Sequence, residues 1–156
     1  MAGQSLIALT GLVRVEKLLL AAALVRRLAA AGHGVTLLDN VSGLSLDVVV
    51  EQDDAAALPD DAHYMRLTVD LTQYLPTVLP HVETPVVVAA ISEHAHPEAL
   101  FSAIDEVAGW SVCTVAMVDA RTCDCFPQLR ILLEDYADLT CKVPCTADWV
   151  LRKLGW

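Results

Sequence analysis

Short, uniformly apolar segments alternate with longer segments of helical pattern along this chain, and this alternation constrains the fold more than any other feature. Strands that are apolar on both faces and separated by helices are typical of a parallel sheet covered by helices on each side. The predicted strands are residues 5–10, 34–39, 84–92, 111–119 and 137–143, with 46–51 and 64–70 as less regular candidates. The predicted helices are residues 13–31, 71–79, 97–108, 126–136 and 146–155. The pattern therefore predicts an α/β three-layer sandwich with a mostly parallel sheet.

The composition indicates one domain over residues 1–156. Hydrophobic residues make up 55% of the 156 residues, which at this length is enough for one substantial core. The formal net charge is −10, which excludes nucleic acid and anionic membranes as partners because both need a basic surface. The acidic segment 51–61 is interpreted as a solvated loop.

We expect a soluble, cytoplasmic protein. The N-terminal segment lacks the basic and apolar regions of a secretory signal. The longest apolar run, residues 18–25, is much shorter than the ~20 residues that a membrane span needs. In the cytoplasm, cysteines are expected to be reduced thiols or metal ligands rather than disulfides.

Residues 11–18 match part of a phosphate-binding loop. Such a loop has the pattern G-x-x-x-x-G-K-[ST] between a strand and a helix. Gly11 and Lys17 stand at the required spacing. Glu16 replaces the second glycine, and Leu18 replaces the Ser or Thr whose hydroxyl would hold Mg²⁺. The segment therefore has the outline of a nucleotide site with two of its groups changed.

Three later segments complete a family pattern that begins with this loop. DNVSGLSLD (39–47) is similar to a switch segment that ends in an aspartate, here Asp47, and AAISEHAHPEAL (89–100) is similar to E-[TS]-S-G-x-A-x-P, with Ser92 at its serine. VAMVDA (115–120) ends a strand at Asp119, and ADLTCKVP (137–144) places Lys142 in a guanine-reading segment. In this order and spacing the chain resembles the GTPase domain of the CobW-type metallochaperones, relatives of HypB and UreG.

The resemblance implies a P-loop NTPase-like fold of the SIMIBI type that binds GTP with Mg²⁺. By position, the nucleotide ligands would be Gly11, Lys17, Asp47, Ser92, Asp119 and Lys142. The departures concentrate on that nucleotide: beside Glu16 and Leu18, Glu93 stands at the glycine that would approach the γ-phosphate. Cys141 and Pro144 replace the Asn and Asp that would read guanine, and the family's metal-binding C-x-C-C is missing near residues 63–70. We therefore interpret the chain as a pseudo-GTPase in which hydrolysis is not expected.

Two residue sets are candidate metal ligands. His94 and His96 share a loop with Glu93 and Glu98, expected near Glu16, Asp39 and Asp119, where carboxylates and imidazoles would suit a divalent cation. The second set would form a four-thiolate zinc or iron–sulfur site from two pairs that flank one predicted helix: Cys123, Cys125, Cys141 and Cys145. The alternatives are a polar loop for the histidines and buried free thiols for the cysteines.

Two functions follow from these patterns. The first is a non-catalytic binding or regulatory module that holds a protein partner or pairs with itself as a homodimer, in the setting of metal-cofactor assembly. The alternative is a residual GTP-binding metallochaperone that uses Lys17 and the Cys or His ligands, in which case the chain would be a GTP hydrolase.

Overall fold

Six strands form one sheet in which every neighbouring pair is parallel. The computed structural model describes residues 3–156, apart from the side chain at position 55. Its strands are β1 (Gln4–Thr10), β2 (Val35–Asp39), β3 (His63–Arg66), β4 (Val86–Ala90), β5 (Trp110–Val118) and β6 (Leu139–Lys142). Their order across the sheet is β3-β2-β4-β1-β5-β6. The predicted α/β architecture is therefore confirmed.

Helices cover both faces of the sheet. They are α1 (Val15–Ala30), α2 (Leu46–Gln52), α3 (Leu71–Val78), α4 (Pro97–Asp105), α5 (Ala120–Cys125), α6 (Pro127–Tyr136) and α7 (Ala147–Leu154), with short 3₁₀ turns at Asp54–Ala56 and Leu79–His81. Residues of α1, α2 and α7 pack on one face, and residues of α3, α4 and α6 pack on the other. The three-layer arrangement follows, because each apolar face of the sheet needs a cover.

The alternation of side chains along the strands divides the core into its two layers. In β1, Ile7 and Leu9 belong to the layer beneath α1, while Leu6 and Ala8 face the α3 and α4 side. All four side chains are at most 1% exposed. This two-sided burial is why the strands appear in the sequence as continuous apolar runs rather than as alternating ones.

The prediction of a strand at residues 46–51 is wrong, because this segment forms α2. Three consecutive valines favour a strand locally, but Leu46 and Val49 are one helical turn apart and both are buried against the core, whereas Val48 is exposed. The amide of Leu46 also donates to the Asp39 carboxylate, which stabilises the first turn of the helix. Tertiary contacts therefore outweigh the local β preference.

The sequence interpretation also missed α5. Its N-cap is Asp119, whose carboxylate accepts hydrogen bonds from both the amide and the hydroxyl of Thr122 at 2.8 and 2.6 Å. Asp is a preferred N-cap residue, because its carboxylate accepts a hydrogen bond from a backbone amide two or three residues later. The helix has only six residues, which is too short for a clear apolar periodicity.

The strand order creates two places where loops diverge at the carboxyl edge of the sheet. After β2 the chain continues to β3, whereas after the neighbouring β4 it continues in the opposite direction to β5. The same divergence separates β1, which leads to β2, from β5, which leads to β6. Ligand sites of open α/β sheets lie in such crevices.

None of the described helices has both the length and the apolar character that crossing a membrane requires.

Candidate functional site

A four-residue loop, residues 11–14, joins β1 to α1 at the centre of the sheet. Gly11 opens it with a φ of +128°, a conformation that side chains rarely adopt. A Cβ atom at this position would lie 2.3 Å from the backbone oxygen of Met117 in β5. Gly11 is therefore required by the close approach of two neighbouring strand ends, whether or not a ligand binds there.

Lys17 lies inside the first turn of α1 and is fully buried. Its Nζ donates to the carbonyl oxygens of Gly11 at 2.6 Å and of Ile91, just after β4, at 2.7 Å. Burial lowers the pKa of Lys17 from 10.5 to about 7, and the nearby charge of Glu93 opposes this shift. The amino group that would contact a phosphate is thus already committed to two backbone carbonyls.

The charge of the Glu93 carboxylate acts on this amino group. The Ser42 hydroxyl donates a short hydrogen bond to Glu93, the Ser42 amide donates at 3.4 Å, and Nε2 of His94 lies 3.4 Å from the same carboxylate. Burial alone would raise the pKa of Glu93, but the hydrogen bonds from Ser42 and the proximity of His94 hold it below its ordinary value. An internal anion, fastened to the loop after β2, therefore stands near Lys17.

The two substituted positions of the loop have different surroundings. Leu18 is fully buried and belongs to the core beneath α1. A packed hydrocarbon side chain therefore occupies the position of the expected hydroxyl. Glu16 is exposed and lines a cleft of about 310 Å³ together with Met117 and Cys145. Its charge is thus on the β5 and β6 side of the loop, while that of Glu93 is on the β4 side.

Asp39, at the end of β2, is buried and belongs to a network of its own. Its carboxylate pairs with Arg66 at 2.9 Å and accepts from the Tyr64 hydroxyl at 2.5 Å, and it also accepts from the amides of Val41 and Leu46. Burial raises the pKa of Tyr64, and the hydrogen bond to the Asp39 carboxylate and its charge raise it further, against a smaller opposing effect of Arg66. Asp39 therefore joins β3 and α2 to the end of β2, and the sequence interpretation that placed it among cation ligands does not describe its surroundings.

A polar cleft of about 650 Å³ occupies the divergence between β2 and β4. Asn40 crosses its base: the side-chain amide donates to the carbonyls of Leu67 and Val69, and its oxygen accepts from the amide of Ser92. His94 and His96 line the mouth. Asn40 was not recognised from the sequence, although a polar residue directly after a buried strand is a signal for this edge of the sheet.

The remaining predicted nucleotide ligands do not line one common cleft. Ser92 is in the wall of the polar cleft, and its hydroxyl accepts from the amide of His94 at 3.2 Å. Asp47 is exposed in the first turn of α2, and Asp119 caps α5. Lys142 is exposed at the end of β6 and lines a different cleft of about 490 Å³ with Trp149 and Cys145. These clefts lie on either side of the loop, and neither Gly11 nor Lys17 lines them.

The structure forms one of the cysteine contacts that the metal hypothesis requires. The Sγ atoms of Cys141 and Cys145 are 2.8 Å apart. Within residues 3–156, however, no group of three or more His, Cys, Asp or Glu side chains is arranged to hold a metal ion. The four-thiolate cluster with Cys123 and Cys125 is therefore not formed, because those residues belong to α5 rather than to the β6 end. In the described part of the chain, His94 and His96 likewise belong to no group of three or more such side chains that could hold a metal ion.

The overall arrangement matches solved structures with low sequence identity. The signal recognition particle 54 kDa protein of Aeropyrum pernix in complex with GDP superposes with a TM-score of 0.63 at 12% identity, covering 97% of this chain and 38% of that one. The signal recognition particle receptor FtsY of Elizabethkingia anophelis in complex with GDP gives 0.57 at 14% identity, covering 94% of this chain and 51% of that one. A de novo designed protein of the P-loop NTPase fold gives 0.52 at 14% identity and matches over 98% and 94% of the two chains.

This chain has the P-loop NTPase fold. It spans about half of the FtsY chain and less of the 54 kDa protein, so the match concerns the fold alone. No protein-family model matches the sequence, and no curated protein matches it. Membership of the CobW-type family and of the SIMIBI type therefore stays a prediction, whereas the P-loop NTPase fold is established.

The buried amino group of Lys17 predicts a distinctive dependence of stability on pH. The folded-state pKa of about 7 lies below that of an unfolded chain, so between these values the unfolded state binds one more proton. The Lys17 contribution to the free energy of unfolding should then rise with pH by about 1.4 kcal/mol per unit from about pH 7 to about pH 10. Lys17→Met should remove this increment, as measured by urea denaturation at several pH values.

Lys153→Met is the matched control, because Lys153 is exposed near the C-terminal end of α7. That variant should keep the pH dependence of the wild type. Equal slopes for the wild type and Lys17→Met would show that Lys17 keeps an ordinary pKa in the folded state.

Proposed function

We propose that this chain is a pseudo-GTPase, a P-loop-fold protein that acts as a non-catalytic binding or regulatory partner of another protein or of a second copy of itself. The observation that carries the proposal is the state of Lys17, whose amino group donates to the carbonyls of Gly11 and Ile91 and lies near the carboxylate of Glu93. Glu93 is thus an internal anion whose charge acts on Lys17 and opposes the approach of a phosphate.

The energetics disfavour nucleotide in two ways. A phosphate that approached Lys17 would meet the Glu93 carboxylate, and two like charges ~4 Å apart repel by about 1 kcal/mol in water and by more in a cleft. Releasing Glu93 would also break its hydrogen bonds with Ser42. In addition, Leu18 provides no hydroxyl for Mg²⁺, and hydrolysis of phosphoanhydrides relies on that ion.

The partner role rests on what the fold retains after the loss of nucleotide chemistry. The polar cleft between the β2 and β4 loops stays open. The acidic segment 51–61, which begins in the last turn of α2, is mostly exposed. These two surfaces are where we place partner binding. The resemblance to CobW-type proteins suggests that the partner belongs to metal-cofactor assembly, either as an active GTPase or as the metalloprotein that it serves.

The test is a series of melting curves of the purified protein with GTP, GDP and ATP, each with and without Mg²⁺. We expect no change in Tm with any nucleotide at millimolar concentration. A ligand at ~100 times its Kd would add about 2.7 kcal/mol to the free energy of unfolding, which for a domain of this size raises Tm by several degrees. A rise of that size with GTP would overturn the proposal.

The alternative is a residual GTP-binding metallochaperone. It is favoured by one observation, the cleft of about 490 Å³ at the end of β6. Lys142, which the resemblance to CobW-type proteins assigns to guanine recognition, lines this cleft together with Trp149. This alternative predicts the rise in Tm with GTP and Mg²⁺, and its loss in Lys17→Ala. It also predicts a metal ion in the purified protein, which elemental analysis of the same sample detects.

A further inference from the structure

Two cysteines meet where β6 turns towards α7. Cys141 is in β6 with 1% of its surface exposed, and Cys145 is half-buried in the segment before α7. Their Sγ atoms are 2.8 Å apart, and both residues are free thiols. Because a disulfide bond is about 2.05 Å long, the sulfur atoms need to move only about 0.8 Å to form one.

Cys145 is the accessible member of this pair. It lines the cleft of about 490 Å³ with Lys142 and Trp149, and it also lines the cleft of about 310 Å³ on the α1 side. Pockets of ~300–1,000 Å³ admit small molecules. Cys141 also borders the larger cleft, but only 1% of its surface is exposed and it belongs to the core layer beneath α1. A small reagent therefore reaches half-buried Cys145 more readily than Cys141.

The hydrogen bond between the two thiols shifts their pKa values in opposite directions. The contact with Cys141 lowers the pKa of Cys145, and the same contact, together with burial, raises the pKa of Cys141. Since the thiolate is the nucleophilic form of cysteine, Cys145 is suited to react first. Cys141 is then in position to attack the sulfur of Cys145.

The geometry points to Cys141 and Cys145 as a reversible dithiol–disulfide site that exchanges with small-molecule disulfides such as oxidised glutathione. In the first step the Cys145 thiolate attacks one sulfur of glutathione disulfide, which forms a mixed disulfide and releases one glutathione thiolate. In the second step the proton of Cys141 passes to a released glutathione thiolate, and Cys141 attacks Sγ of Cys145. This forms the protein disulfide and releases the second glutathione. The protein is oxidised by two electrons, and glutathione disulfide is reduced. The site does not depend on the proposed function.

The experiment equilibrates the folded protein with mixtures of reduced and oxidised glutathione and stops exchange with acid. The protein is then unfolded in denaturant near neutral pH with excess N-ethylmaleimide, so that buried and exposed free thiols are both labelled, and the peptides are mapped by mass spectrometry. In the oxidising mixtures Cys141 and Cys145 should lose their labels together, as one disulfide-linked species. Cys113, Cys123 and Cys125 should stay labelled. Dithiothreitol should restore both lost labels.

Two variants resolve the order of the steps. In Cys141→Ala, Cys145 should accumulate as the mixed disulfide with glutathione, because the second thiol is missing. In Cys145→Ser, the protein should form neither the disulfide nor a comparable amount of glutathione adduct. Buried Cys141 should react with glutathione disulfide at least about tenfold more slowly than Cys145 does. Cys125→Ser changes an exposed cysteine and is the matched control that should keep the disulfide.

Three results would overturn the inference. The first is full labelling of Cys141 and Cys145 in the oxidising mixtures, and the second is a disulfide that joins any other pair. The third is an adduct on Cys145 of the wild type that never proceeds to the disulfide. The peptide map of the wild type decides each of these, so the inference stays testable even if a variant does not fold.

Discussion

Gly11→Ala is expected to lower the free energy of unfolding by about 4 kcal/mol. Two effects act together: a non-glycine residue at a φ of +128° is strained, and the added Cβ would lie 2.3 Å from the Met117 backbone oxygen. Conformational strain of this kind costs roughly 1–3 kcal/mol, and overpacking in a dense interior costs roughly 1–3 kcal/mol more. Urea denaturation monitored by circular dichroism measures the loss.

Gly32→Ala separates the two effects. Gly32 follows α1 with a φ of +91°, and a Cβ atom there would meet nothing within 4 Å. Only the conformational cost applies, so we expect a loss of about 1 kcal/mol. Losses of similar size in the two variants would mean that the contact between the β1 loop and β5 is loose, and that Gly11 is not required by packing.

Asp39→Asn is expected to lower the free energy of unfolding by about 3 kcal/mol. The substitution keeps the shape of the side chain but removes the charge that compensates Arg66, and it directs an amide group towards groups that all donate hydrogen bonds. Removing one partner of a buried ion pair costs roughly 3–5 kcal/mol, and the partial exposure of Arg66 places the loss at the lower end. Chemical denaturation at neutral pH tests this value.

The surface pair of Arg27 and Asp148 provides the control. Their side chains are 57% and 63% exposed, so solvent screens the interaction and Asp148→Asn should cost less than about 1 kcal/mol. A milder probe is Tyr64→Phe, which removes one hydrogen bond to Asp39 and should cost about 1 kcal/mol. If Asp39→Asn and Asp148→Asn were equally harmless, Asp39 would not hold β2, β3 and α2 together.

The fold was predictable because its strands are buried on both faces. Continuous apolar runs such as residues 84–92 and 111–119 correctly indicated β4 and β5, and the thiol-bearing segment 137–143 correctly indicated β6. The failure at residues 46–51 has a physical cause. The amide of Leu46 finds the Asp39 carboxylate, and that contact joins residues whose proximity exists only after folding.

The candidate site was predictable in outline but not in its contacts. The spacing of Gly11 and Lys17 correctly indicated the loop between β1 and α1, since the motif is local. The sequence did not predict that the Lys17 amino group donates to Ile91. This hydrogen bond exists because β1 and β4, which are distant in sequence, are neighbours in the sheet. The bond between Ser42 and Glu93 depends in the same way on loops that follow different strands. Local patterns carry no information on such pairs.

The dimensions of the sheet limit how this protein can associate. Both outer strands, β3 and β6, contain only four residues each, and short edge strands give an incoming strand few backbone groups with which to pair. Growth of the sheet from one molecule into the next is therefore disfavoured. Any dimer or complex should form through helices or through the loops at the carboxyl edge, so that its interface is built from side chains rather than from a continuous backbone ladder.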